Sequence, residues 1–266
     1  MLNRTKLLFA TTALIASAPL APAMAAAPMG FAGTLSGAYG SSSCDGCDST
    51  DAWTIGGSGA FGLGTGDFGA QVDASYNSVS DVDVFGLGGS LFWAPAMGRA
   101  GATIFWGTAD ESGVNVDALT YGVFGEWYAG NAITIGVKGG GLSLSADAYG
   151  LSDSESGGYV GAALTGYIIP NLALQGDITF SSVADLDTTN YGIGAEFLIS
   201  EMVPISIFGG YSRSNVEFFG VDADVDTWMI GLRFYAGSGG PTLVDKHRNG
   251  TLGWAGATNV NSLIAP

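Results

Sequence analysis

The sequence predicts an all-β chain: a single antiparallel transmembrane β-barrel of about twelve strands, with 10 or 14 as alternative counts. Three observations carry this. Twelve short segments alternate apolar and polar residues, the gaps between them are alternately tight and long, and the acidic residues collect in the long gaps. The clearest segment interleaves Phe68, Ala70, Val72, Ala74 and Tyr76 with Gly69, Gln71, Asp73 and Ser75. A strand points successive side chains to opposite faces, so this one presents an apolar face and a face bearing an amide, a carboxylate and a hydroxyl. Twelve in succession fit a closed ring in lipid.

Taken in order, the chain opens on a basic stretch with Arg4 and Lys6. Leu7 to Ser17 is apolar but too short to span a bilayer, and Ala23-Met24-Ala25 is a small-x-small cleavage signal. Residues 1–25 therefore read as a signal peptide. About 240 residues follow, enough for one large β-domain over 26–237. Removing Arg4 and Lys6 takes the formal charge from −16 to −18. Only 12% of residues are charged and the mean hydropathy is +0.33, values that suit a chain partly solvated by lipid. With no basic patch to neutralise phosphates, nucleic-acid binding is excluded.

The strands are expected at Phe31 to Gly40, Trp53 to Leu63, Phe68 to Asn77, Val84 to Trp93, Arg99 to Thr108 and Leu119 to Ala129. They continue at Ala132 to Leu144, Tyr159 to Ile169, Leu172 to Ser181, Asn190 to Ser200, Pro204 to Arg213 and Thr227 to Ala236. Each has about ten residues, the length of a tilted strand crossing the hydrocarbon. Gly64 to Asp67, Pro95 to Gly98, Gly130-Asn131, Pro170-Asn171 and Glu201 to Val203 are short turns rich in chain-reversing residues. Ser41 to Ala52, Ala109 to Ala118, Ser145 to Gly158 and Ser214 to Asp226 are longer and polar. An even strand count places both termini on the short-turn side, periplasmic in bacterial barrels, and the long acidic loops outside.

Charge tests this drawing independently. The long gaps hold 17 of the 24 acidic residues: Asp45, Asp48, Asp51, Asp81, Asp83, Asp110, Glu111, Asp117, Asp147, Asp153, Glu155, Asp185, Asp187, Glu217, Asp222, Asp224 and Asp226. Of the basic residues, only Arg213 stands at their edge. A secreted soluble sandwich shares the strand alternation but would scatter these charges. Trp53, Trp93, Trp106, Trp127 and Trp228 fall on the outward face near strand ends, where indoles settle at lipid headgroups.

Across Phe31 to Ala236 the chain resembles the small porin-like outer-membrane β-barrel proteins of Gram-negative bacteria. Trp228, Ile230, Leu232 and Phe234 alternate in the last strand and are similar to that group's terminal assembly signal. The resemblance implies a cell outer membrane location and the barrel-assembly machinery as a partner. The chain departs from the group by continuing past Phe234 through residues 238–266, expected as a periplasmic tail.

Inward positions include Asp73, Glu126, Lys138, Asp177, Glu196 and Arg233, among hydroxyls, amides and glycines. Buried ions need partners, so Lys138 and Arg233 are expected to face some of the four carboxylates. Such a wall fits a narrow passive channel, and the acidic mouth formed by Asp45, Asp48, Asp51, Asp81, Asp83, Asp110, Glu111, Asp153, Glu155, Asp222, Asp224 and Asp226 favours cationic or neutral solutes. The alternative is a closed, non-conducting structural or surface-interaction barrel. Its acidic loops would bind divalent cations or an outside partner.

Cys44 and Cys47 are expected to form a local disulfide in an oxidising compartment. A zinc site needs further ligands, and the sole histidine, His247, is remote in sequence. That scarcity also argues against a serine hydrolase, which needs a histidine base. No enzyme, cofactor or metal site is therefore expected. For the tail, with Lys246-His247-Arg248 and Trp254, two readings stay open: a flexible extension, or a plug whose basic triplet enters the acidic lumen.

Overall fold

The computed structural model describes residues 30–254 apart from 45–48, 65–66, 80–81, 112–113, 149–150, 201, 203, 219–220 and 238–239. The signal-peptide residues 1–25 lie outside the described residues. Twelve strands follow one another: β1 (Phe31–Cys44), β2 (Thr50–Gly62), β3 (Phe68–Val79), β4 (Val82–Trp93), β5 (Gly98–Glu111) and β6 (Val114–Ala129), then β7 (Ile133–Ala148), β8 (Leu151–Ile169), β9 (Leu172–Val183), β10 (Leu186–Leu198), β11 (Ile205–Phe218) and β12 (Val221–Gly237). Each pairs antiparallel with its sequence neighbours. β1 meets β12 with Leu35 opposite Phe234 and Ser36 opposite Arg233, which closes the ring.

Alternation decides what faces where. Leu35, Val72, Leu91, Val123, Ile193 and Leu232 are exposed on the outer wall, whereas Gln71, Asp73, Thr103, Glu126, Lys138, Thr165 and Glu196 are buried inside. An outer face so continuously apolar requires a non-aqueous neighbour. Trp53, Trp93, Trp106, Trp127 and Trp228 are all on it and exposed. One irregularity interrupts the register, between Tyr167 and Ile169 of β8. This bulge turns both Ile168 and Ile169 outward and leaves Tyr167 pointing in.

The strands run to 12–19 residues, longer than the ten or so that the apolar pattern marks. Much of the sequence expected as long loops is paired strand: Ala109–Glu111 continues β5, Val114–Ala118 opens β6, and Ser145–Ala148 faces Leu151–Ser154 across β7 and β8. The reason is physical. Apolar alternation reports only the apolar outer belt, while backbone pairing continues beyond it with exposed polar side chains such as Asp153, Ser154 and Glu155.

Beyond β12 the chain turns back on itself. Gly237 has φ +77°, and a Cβ there would stand 2.1 Å from the Phe31 carbonyl oxygen, so only glycine fits this reversal. A one-and-a-half-turn helix follows, α1 (Leu243–Arg248). Thr242 caps it: its hydroxyl accepts from the Asp245 N–H at 3.1 Å, and the Asp245 carboxylate accepts from the Thr242 N–H at 3.2 Å. Leu243 and His247, one turn apart, both point into the barrel interior and are buried.

Candidate functional site

The described part of the tail, residues 240–254, packs against inward-facing side chains from strands all around the ring. At the short-turn end, the Leu243 N–H donates to the Pro170 carbonyl at 2.9 Å. The Arg248 guanidinium donates to the carbonyls of Gly130 at 2.6 Å and Ile133 at 2.8 Å and lies over the Tyr128 ring. Leu243 sits in an apolar floor with Tyr167, Ala173, Leu198 and Tyr235.

His247 is held between two phenols, with Nδ1 3.2 Å from the Tyr167 hydroxyl and Nε2 3.1 Å from the Tyr235 hydroxyl. Tyr235 donates its single proton to Glu196, so it accepts from Nε2–H, and Nδ1 accepts from Tyr167. Glu196 also accepts from Ser206 and from Arg233, forming a buried ion pair. Burial holds the imidazole below its ordinary 6.5, with Glu196 opposing and the Arg233 and Arg99 charges reinforcing the shift.

Above α1 the tail runs as irregular chain and the wall addresses its backbone. Arg99, ion-paired with Glu126 at 3.0 Å with both side chains fully buried, donates to the Gly250 carbonyl at 3.4 Å. Gln71 donates to the Leu252 carbonyl at 3.2 Å while its own oxygen accepts the Leu252 N–H. Lys138 donates to the Trp254 carbonyl at 3.5 Å and stands 4.3 Å from the centre of the Trp254 ring. Leu252 and Trp254 complete an apolar cluster with Phe92, Phe124 and Ala163. Gly136 and Gly161 make room for the indole, since a Cβ would lie 3.1 Å and 3.3 Å from its ring atoms.

Toward the opposite end, Val84, Phe105, Val116, Leu142, Tyr159 and Val183 form a second, wholly internal apolar cluster. Phe105 lies where Gly86 leaves space, as a Cβ on Gly86 would come within 2.2 Å of its ring. Among the described residues, the tail occupies the interior toward the short-turn end and this cluster occupies it toward the other.

The structure gives each expected site residue a place. Arg233 meets Glu196, as the inward charges require. Glu126 meets Arg99 instead of either expected cation. Asp73 is fully buried and accepts from Ser58 at 2.6 Å and Gln71 at 2.7 Å. Asp177 is partly buried, and its field reaches Lys138. At the mouth, Asp51, Asp83, Asp153 and Glu155 are exposed on strand extensions. Asp224 and Asp226 are bridged by Arg213 at 2.6 Å and 3.7 Å, and take hydrogen bonds from Asn215 and Tyr211. Asp45, Cys47, Asp48 and Asp81 lie outside the described residues, as do the side chains of Asp110, Glu111 and Asp222. Cys44 ends β1 and is disulfide-bonded.

Sequence reasoning passed over Arg99, Tyr167, Tyr235, Phe92 and Phe124 as interior residues. For Arg99 the signal was present: it shares parity with Thr103, so alternation along β5 turns both inward. Tyr167 carried the same signal, since it shares parity with Thr165 on β8; it is Ile169, beyond the bulge, that alternation would have turned inward and that faces out.

No family model and no curated protein matches the chain. Solved structures match it in fold. The translocator domain of the autotransporter NalP from Neisseria meningitidis aligns with a TM-score of 0.53 at 12% identity, over 77% of this chain and 88% of that one. The NanC porin aligns with a TM-score of 0.53 at 14% identity, over 75% of this chain and 98% of that one. A FadL homologue from Pseudomonas aeruginosa gives 0.50 at 9% identity, over 77% and 90%. At these identities the likeness is one of fold: the chain has the architecture of porin-like outer-membrane β-barrels.

Proposed function

We propose that the chain is a porin-like outer-membrane protein, exported by residues 1–25, that forms a narrow passive channel for small cationic or neutral solutes. In the state described, its lumen is obstructed by residues 240–254 at the short-turn end and narrowed by the apolar cluster around Phe105 at the other. The observation that carries this reading is the nature of the obstruction. It is a segment beyond the last strand, folded back at Gly237 and outside the ladder of the ring, so it is able to leave without breaking a strand. The acidic residues exposed on the hairpin extensions supply the selectivity, attracting cations and repelling anions. The partners under this reading are outer-membrane lipid, the barrel-assembly machinery, and divalent cations at the acidic hairpins.

Planar-bilayer recording across an asymmetric KCl gradient tests it. Expected are long closed periods, stepwise openings and a reversal potential on the cation side; an anion-selective reversal potential refutes the selectivity. A second reading, a non-conducting structural or surface-interaction barrel, is favoured by the internal apolar cluster around Phe105. It predicts no steps at any voltage, even when tail contacts are weakened.

A further inference from the structure

We infer that the lumen wall is a binding site for extended peptide, and that short peptides with an apolar and an aromatic residue two positions apart are a solute class that competes with the tail. The inference rests on the channel reading for its link to transport, but not for the site itself. Three wall side chains from three strands, Arg99, Gln71 and Lys138, donate to the carbonyls of Gly250, Leu252 and Trp254. These are alternate residues of a stretch that is neither helix nor strand, so the wall takes every second carbonyl along the segment. Gln71 engages both the N–H and the C=O of Leu252, as a neighbouring strand would. All three are buried, and they contact main chain that any peptide possesses.

Selectivity comes from two side-chain sites. Leu252 enters an apolar recess between Phe92, Phe124 and Ala163. Trp254 packs against Gly136 and Gly161 with the Lys138 ammonium over its ring, an arrangement suited to any aromatic group. The intervening Gly253 contributes no side chain, so the spacing rather than the whole sequence is read. A tethered segment acts at an effective concentration of about 1 mM, so a free peptide that binds the vacated site at about 10 μM is held off roughly 100-fold by the tail.

The test uses the full chain, folded first, with a protease site in a flexible linker inserted between Ser238 and Gly239. After cleavage, a labelled synthetic peptide covering Gly240 to Trp254 is titrated and followed by fluorescence anisotropy. The cleaved tail is expected to stay with the barrel through gel filtration and to exchange for the labelled peptide. A peptide with Leu252 and Trp254 replaced by serine should bind at least tenfold more weakly. In uncleaved chain, L252A/W254A should take up labelled peptide at least tenfold more tightly than wild type. A tail that separates on cleavage with no uptake of labelled peptide overturns the inference, and so does equal binding of the serine-substituted peptide. Conductance of the cleaved barrel is read separately. Peptide binding without conductance leaves the site standing and removes the channel; conductance without peptide binding does the reverse.

Discussion

Glu196 organises the short-turn end because four groups converge on it: Ser206, Arg233, Tyr235 and His247. Removing its charge strands a buried guanidinium. Glu196→Gln is therefore expected to cost about 3–5 kcal/mol, read as a lower midpoint of urea unfolding in detergent micelles, while Asp153→Asn on an exposed extension should change it little. His247 makes the docking of α1 sensitive to pH. Its proton affinity is lowered in the docked state by burial, opposed by Glu196 and aided by Arg233 and Arg99, with the hydroxyls of Tyr167 and Tyr235 filling its two ring positions. A base of this kind binds its proton more readily when released, so docking is unaffected above about pH 6.5 and weakens as the pH falls below it. Amide hydrogen exchange of residues 243–254, corrected for intrinsic rates, should show less protection at pH 5.5 than at pH 7.5. His247→Phe should abolish that difference; greater protection in acid would mean that Glu196 outweighs burial.

At the scale of elements, the strands were legible and their ends were not. The alternation in β3 or β12 reports which side chains meet lipid, and the interior assignments of Gln71, Asp73, Glu126 and Glu196 follow from it directly. Where lipid contact ends the pattern stops, yet β7 and β8 go on pairing up to Ala148 and Leu151. Leu232, exposed on the outer face of β12, tests the lipid assignment: Leu232→Arg should cost about 2–4 kcal/mol in a bilayer if it sits near the midplane, whereas an arginine at an aqueous surface would be nearly neutral. The tail was only half legible. Its basic triplet suggested attraction to an acidic lumen, and His247 and Arg248 do meet wall partners while Lys246 stays partly exposed; what the sequence did not show is the seating of Leu243, Leu252 and Trp254 among wall aromatics and glycines brought together by closure. Leu252→Ala should loosen the segment by about 2–5 kcal/mol, seen as faster tryptic cleavage after Arg248.

For the whole molecule, ring closure is what gathers a weak alternating pattern into one shared interior. β1 and β12 are the ends of the sequence of strands, and their pairing sets Thr34 opposite Tyr235 and Ser36 opposite Arg233, with Thr34 reaching Thr251 of the tail. A chain so closed has two obstructions, the segment after β12 at one end and an apolar cluster of wall side chains at the other, and only the first lies outside the strands of the ring. The most direct measurement is single-channel recording of wild type against L252A/W254A in the same bilayer and KCl gradient. The variant should spend at least tenfold more time open, with an unchanged cation-side reversal potential. Equal open times, or no conductance in either protein, would contradict the account.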